Sequence, residues 1–156
     1  MAGNIMINQA FAAEVNINKS KTLRLLTKAA EQGMIDFPRM NFSWGEGVML
    51  EGMVYSYKQT GIQAYLDYLK EFGDRWYKQG ITEVLNNKGY CGHWDCGYAM
   101  LRLNEITGEE KYLELSKEVI EFIDNKALRT NEGALSHAFD RPGLWVDTLY
   151  MFVPLL

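Results

Sequence analysis

The chain has 156 residues, 47% hydrophobic and 13% aromatic, which is one domain's worth and enough for a substantial core. Its 16 basic and 20 acidic residues are spread along the chain and leave a net charge of −4, so there is no basic patch to hold nucleic acid and no polybasic membrane anchor. No window approaches the roughly 18 apolar residues of a membrane span, and no basic stretch precedes an apolar run at the start. With two cysteines in the whole chain, a reducing, cytoplasmic setting is the expectation.

Residues 1–19 are weakly patterned and read as a peripheral segment. From Ser20, which can cap a helix, Leu23, Leu26, Ala29 and Ala30 recur at helical spacing, and Gly33 reads as the stop. A loop broken by Pro38 leads to Trp44-Gly45-Glu46-Gly47 and an apolar helix over 48–57. Gly61 closes that helix and opens the next, in which Ile62, Tyr65, Leu66, Leu69 and Phe72 share a face that excludes Asp67, Lys70 and Glu71.

The same grammar returns downstream. Thr60-Gly61-x-x-x-Tyr65-Leu66 aligns with Thr107-Gly108-x-x-x-Tyr112-Leu113, and the two glycines lie 47 residues apart. A helical hairpin of this length cannot bury its apolar face alone, so the units are expected to stack side by side. The partners within a hairpin differ: residues 97–107 carry only Arg102 and Glu105 as charges, whereas residues 109–126 carry nine. Nearly uncharged helices belong inside and charged ones outside, which favours a closed toroid of hairpins over an open solenoid. One further period beyond Met100 places a third inner helix around Asp147, so the chain is expected to end inside it, at what reads as the cut edge of a barrel.

In such a stack the starts of the inner helices and the loops before them line one mouth, here 42–47, 90–97 and 136–147. Each holds a tryptophan, Trp44, Trp94 or Trp145, and tryptophan faces with a few carboxylates suit a carbohydrate site. Core anchoring of helix ends is the competing role for each ring. Asp147, among Leu144, Trp145, Val146, Leu149 and Tyr150, reads as a buried acid with a raised pKa or as a satisfied structural group. Asp95 reads as the N-cap of the helix that follows it, a role compatible with catalysis. Asp140, before Arg141-Pro142, reads as another cap with proline in the first turn. Cys91-x-His93-x-Asp95-Cys96 holds four ligand types in six residues, but its spacing matches no tetrahedral site, and no metal site is expected.

Trp44-Gly45-x-Gly47, Trp94-Asp95-x-Gly97 with a Thr-Gly turn behind it, and Ser136-His137 followed by Trp145-Val146-Asp147-Thr148-Leu149-Tyr150-Met151 together resemble the unsaturated glycuronyl hydrolases of glycoside hydrolase families 88 and 105. That resemblance implies an all-α fold, an (α/α) toroid of six helical hairpins. The chain, a single partial domain over 1–156, would carry roughly its N-terminal half as about three hairpins from residue 20 on. It implies removal of a terminal 4,5-unsaturated uronic acid from oligosaccharides made by polysaccharide lyases, by hydration of the C4–C5 double bond, without a metal or organic cofactor. By position, Asp147 would be the general acid and then base, Asp95 the second carboxylate, and His137, Trp44, Trp94 and Trp145 contacts to substrate.

Two further expectations follow. A half barrel exposes inner-helix faces, so the chain is expected to self-associate, and a truncated form is expected to be impaired in activity. The alternative from another class is a non-catalytic helical-repeat module that binds a glycan or a protein. A toroid epimerase fits less well, because such sites use several histidines and only His93 and His137 are present.

Overall fold

The computed structural model describes residues 20–86, 91–137 and 141–156. The expected peripheral segment 1–19, the start of the 90–97 loop at Tyr90 and the cap at Asp140 lie outside the described residues. Among the described residues there are seven α-helices: α1 over 20–36, α2 Trp44–Thr60, α3 Gln63–Gln79, α4 Thr82–Asn86, α5 Asp95–Thr107, α6 Glu110–Asn125 and α7 Asp147–Phe152. Single 3-10 turns, Cys91–His93 and Val153–Leu155, precede α5 and follow α7. The only extended pairing among the described residues is an isolated bridge between Arg129 and Leu135, so the fold is all-α.

Two hairpins, α2–α3 and α5–α6, stack with α2 against α5 and α3 against α6. Their equivalence reaches single atoms. Gly61 and Gly108 close α2 and α5 in the left-handed region, at φ of 68° and 71°, where a side chain would be strained. Each donates its N–H to the carbonyl four residues back, Tyr57 at 2.8 Å and Asn104 at 2.7 Å. The threonine before each glycine donates to its own i−4 carbonyl, Ser56 at 2.7 Å and Leu103 at 2.9 Å, and accepts the N–H two residues on. Tyr65 and Tyr112, five residues after these threonines, are buried.

The outer helices are amphipathic: Tyr65, Leu69, Phe72 and Trp76 of α3, and Tyr112, Leu115, Val119 and Ile123 of α6, enter the core. Gly73 lies where a Cβ would meet the Tyr112 ring at 2.6 Å, so α3 and α6 approach closely only because that side chain is missing. Tyr112 in turn donates to Asp74 at 2.7 Å. No helix among the described residues is long and apolar enough to cross a membrane.

Local expectations change in four places. Ser20 is already helical and does not cap α1. Gly33 does not stop α1, which runs to 36; it instead admits the Met49 side chain of α2, and Pro38 supplies the break. No helix starts at Pro142, since 142–145 are irregular. The third inner helix does not straddle Asp147 but begins there, because 21 residues separate α6 from α7 whereas 15 separate α3 from α5. Asp95 and Asp147 are thus each the first residue of a helix, α5 and α7.

Candidate active site

The starts of α2, α5 and α7 adjoin as the spacing predicts. Cys96 of α5 points its thiol at the Ser43 carbonyl, 3.3 Å away, just ahead of α2. Asp95 lies on Gly47 of α2, where any Cβ would run into the Asp95 side chain and come within 2.7 Å of its Cβ and Cγ. At the start of α7, Thr148 Oγ1 lies 3.9 Å from Cys91 Sγ, in the turn before α5, while Phe152 at the end of α7 meets Trp94 edge-on, with ring centroids 6.2 Å apart. Glycine at 47 is therefore what lets the Asp95 carboxyl group enter the α2–α5 seam.

Asp95 does not cap α5. Trp94 occupies the cap position in helical conformation, continuing the 3-10 turn, and both Asp95 oxygens lack a hydrogen-bond partner among the described residues. The side chain turns instead toward α2 and has no solvent exposure. Gly47 and Glu51 are i and i+4 on α2 and share a face, so a carboxyl group lying on Gly47 is a neighbour of Glu51. Glu51 is itself buried, its Oε1 has no hydrogen bond, and its Oε2 accepts a long 3.4 Å bond from the Tyr150 hydroxyl of α7.

Two carboxylates about 4 Å apart repel by roughly 4 kcal/mol at an effective dielectric constant near 20, so such a pair keeps a proton. Burial above all, then the Glu51 charge, pushes Asp95 up to about 8, and Asp95 is mostly protonated at pH 7. Burial also raises Glu51, opposed by its contact with Asp95, the Tyr150 hydroxyl and the Arg102 charge. Burial and the two carboxyl groups hold the Tyr150 phenol near 12, so it stays a donor.

Asp147 stands differently. Its side chain is 44% exposed, and its neighbours Leu144, Trp145, Val146, Leu149 and Tyr150 are all exposed, so the apolar enclosure expected from sequence is not formed. Residues adjacent in sequence at a helix start radiate around its axis and do not wrap one of their number.

Asp147 Oδ1 is buried, 3.4 Å from His137 Nδ1. The same nitrogen lies 3.3 Å from Cys91 Sγ and 3.4 Å from Thr148 Oγ1. When Nδ1 carries a proton it faces the Asp147 carboxylate; when it does not, it accepts from the thiol or the hydroxyl. Burial pushes the Cys91 thiol up to about 11, which makes it a donor and not a nucleophile. His137 is fixed from behind by its N–H to the Gly143 carbonyl, 2.8 Å, and by the Gly143 N–H to Ser136 Oγ, 3.0 Å.

The aromatic side chains divide. Trp145 is 65% exposed and stacks on the His137 ring at 4.6 Å between centroids and 9° between planes; Trp44 is half exposed at the first residue of α2. Trp94 has no exposed surface and anchors the start of α5, so it offers no face to a ligand in this structure. The Cys91–Cys96 cluster also disperses, with Cys91 toward His137, Cys96 toward Ser43 and Asp95 toward Gly47. Among the described residues no three His, Cys, Asp or Glu side chains converge as metal ligands.

Glu51 is the site residue that sequence reasoning passed over. Its signal was present, since it is the only charge between Gly47 and Tyr57.

The arrangement joins a half-exposed carboxylate, a histidine, exposed tryptophan faces and a protonated buried acid pair around one set of helix starts. Comparison with known proteins agrees with its carbohydrate character. Glycosyl Hydrolase Family 88 matches residues 17–156. The unsaturated rhamnogalacturonyl hydrolase YesR of Bacillus subtilis (strain 168) is 31% identical over 121 residues, 72% of this chain and 34% of the relative. The chain therefore spans less than half the length of that curated relative, and no solved structure matches it. With the family match covering most of its length and the mouth carrying acids and aromatic faces, the chain belongs to glycosyl hydrolase family 88.

Proposed function

We propose that the chain acts as an unsaturated glycuronyl hydrolase, releasing a terminal 4,5-unsaturated uronic acid from oligosaccharides produced by polysaccharide lyases in the cytoplasm. The observation that carries this reading is Asp147 at the start of α7. One of its oxygens lies beside His137 and much of its side chain is open to solvent, next to the Trp145 face, in a chain matched to the family over residues 17–156.

Asp147 gives its proton to C4 of the double bond, leaving positive charge shared between C5 and the ring oxygen. The Asp147 carboxylate then takes a proton from water as the water oxygen bonds to C5. The resulting hemiketal opens to a ketone, and the freed hemiacetal at C1 expels the next sugar as an alcohol. His137 holds Asp147 in place and Trp145 with Trp44 packs against sugar faces. The Glu51–Asp95 pair, with one proton between two carboxyl groups, contributes a buried negative charge that favours the cationic stage. No step needs a metal or organic cofactor.

The fold implied is the N-terminal part of an (α/α) toroid. An apolar groove of about 540 Å3, lined in part by Ile123, Leu135, Trp145, Leu149, Phe152 and Leu156, supports self-association of the chain. Light-scattering chromatography showing only monomer would refute that part.

The test of function is the loss of conjugated-ester absorbance from an unsaturated uronyl disaccharide. Asp147→Asn is expected to lower kcat by roughly 10²- to 10⁴-fold. Full activity in that variant would remove Asp147 from the mechanism. A wild-type chain that binds the disaccharide without turning it over would favour the glycan-binding module instead.

A further inference from the structure

The Glu51 carboxyl group has no place in the roles assigned so far by family resemblance, yet it lies at the seam of three helices. We propose that Glu51 is a positioning residue of this site: packed beside Asp95 and reached by Tyr150, it sets the protonation of Asp95 and helps seat α7, which presents Asp147.

Three geometric facts support this. Asp95 enters the seam at Gly47, one turn before Glu51 on the same face of α2, and a Cβ at residue 47 would collide with the Asp95 side chain. Neither Asp95 oxygen has another partner among the described residues, and Glu51 Oε1 has none either, so each carboxyl group is the other's nearest means of relief from burial. The remaining Glu51 oxygen takes the Tyr150 hydroxyl at 3.4 Å, and Tyr150 lies one helical turn after Asp147 on α7. From α5, Glu51 faces Asp95 and the Arg102 charge; from α7 it faces Tyr150, whose other ionisable neighbours are Asp95 and Tyr55 of α2.

The arrangement leaves a defined division of labour. Asp95, without solvent contact, holds the proton; Glu51, with Tyr150 and Arg102 nearby, holds the charge. Such a pair titrates as a unit, in two steps that belong to both groups. The tie through Tyr150 makes the start of α7 sensitive to which form the pair is in. This inference rests on the glycuronyl hydrolase reading only for what the site does, since the pair and its tie are properties of the folded chain.

The experiment is carbon-13 carboxyl NMR of the full chain across pH, which needs no substrate. In the wild type the Asp95 resonance is expected to titrate near 8, and the Glu51 resonance to shift a second time at that same midpoint. Glu51→Gln removes a like charge and supplies an amide donor to ionised Asp95. Both effects act in one direction, and the Asp95 midpoint should fall by at least about one pH unit, tenfold in its acid constant. Tyr150→Phe should speed amide exchange in α7 several-fold while the two carboxyl groups remain coupled.

An Asp95 midpoint unchanged in folded Glu51→Gln, or unchanged α7 exchange in Tyr150→Phe, overturns the proposal. Should Glu51→Gln not fold, the wild-type titration decides alone: a Glu51 resonance with no second shift at the Asp95 midpoint overturns it equally. A chain that shows the coupled titration but no turnover would fail the functional reading and leave this inference standing.

Discussion

The two ends of the hairpin stack solve opposite problems. At the end where α2 and α5 finish, the turn glycines and threonines find partners: Gly61 and Gly108 donate to helix carbonyls, and Thr60 and Thr107 both donate and accept. At the end where α2, α5 and α7 begin, Asp95 Oδ1 and Oδ2, Glu51 Oε1 and Trp94 Nε1 are buried without a hydrogen bond among the described residues. A fold seldom leaves such groups unmet except where their chemistry is used. The turn end stabilises the stack, and the mouth end carries a cost that points to function.

The largest effect expected from breaking this contrast is a gain of stability at the mouth. Asp95 is raised from its ordinary value of 3.8 to about 8 in the folded chain. Between those values the folded state keeps a proton that the unfolded state has lost, so stability falls as pH rises through that window and levels off above about 8. Asp95→Asn removes this loss. Urea denaturation should show it more stable than wild type by on the order of a few kcal/mol at pH 8, with the gain shrinking toward pH 4. Equal destabilisation at both ends of that range would contradict a buried, protonated Asp95.

Next in size is Gly47→Ala, whose Cβ collides with the Asp95 side chain and should cost about 1–3 kcal/mol through overpacking. Gly45→Ala, two residues earlier in the same helix, meets nothing within 4 Å and should be tolerated. Thermal unfolding of the two variants separates close approach from mere helix propensity. Smallest is the turn end. Gly61→Ala and Gly108→Ala meet no atoms, so each should cost only the left-handed backbone, about 1 kcal/mol, and the two values should agree within a few tenths. Unequal costs would mean that the repeat is not energetically equivalent.

These sites differ also in how well the sequence displayed them. The Thr-Gly turns were legible because a left-handed helix end has one local solution, glycine, and the repeat of Thr60-Gly61 at Thr107-Gly108 showed it twice. The inner and outer helices were legible from their charge content for the same reason of locality. The environment of Asp147 was not, because apolar neighbours in sequence point away from one another once a helix starts there. Asp95 read as a cap by position, whereas the 3-10 turn before it frees its side chain to cross to α2.

Glu51 met the criterion that singled out Asp147, a lone carboxylate in an apolar run, and there the criterion holds in the fold. What sequence could not show is that Gly47 clears the space through which Asp95 reaches it, since that depends on the crossing of two helices 48 residues apart.

The claim that the mouth end is the functional one is tested most directly by amide NMR of the chain titrated with a 4,5-unsaturated uronyl disaccharide. The account predicts shifts concentrated in 43–47, 91–97 and 136–150, with the Trp44 and Trp145 indoles among them and the Thr60 and Thr107 turns silent. Shifts centred on those turns, or no saturable shift at all, would contradict it.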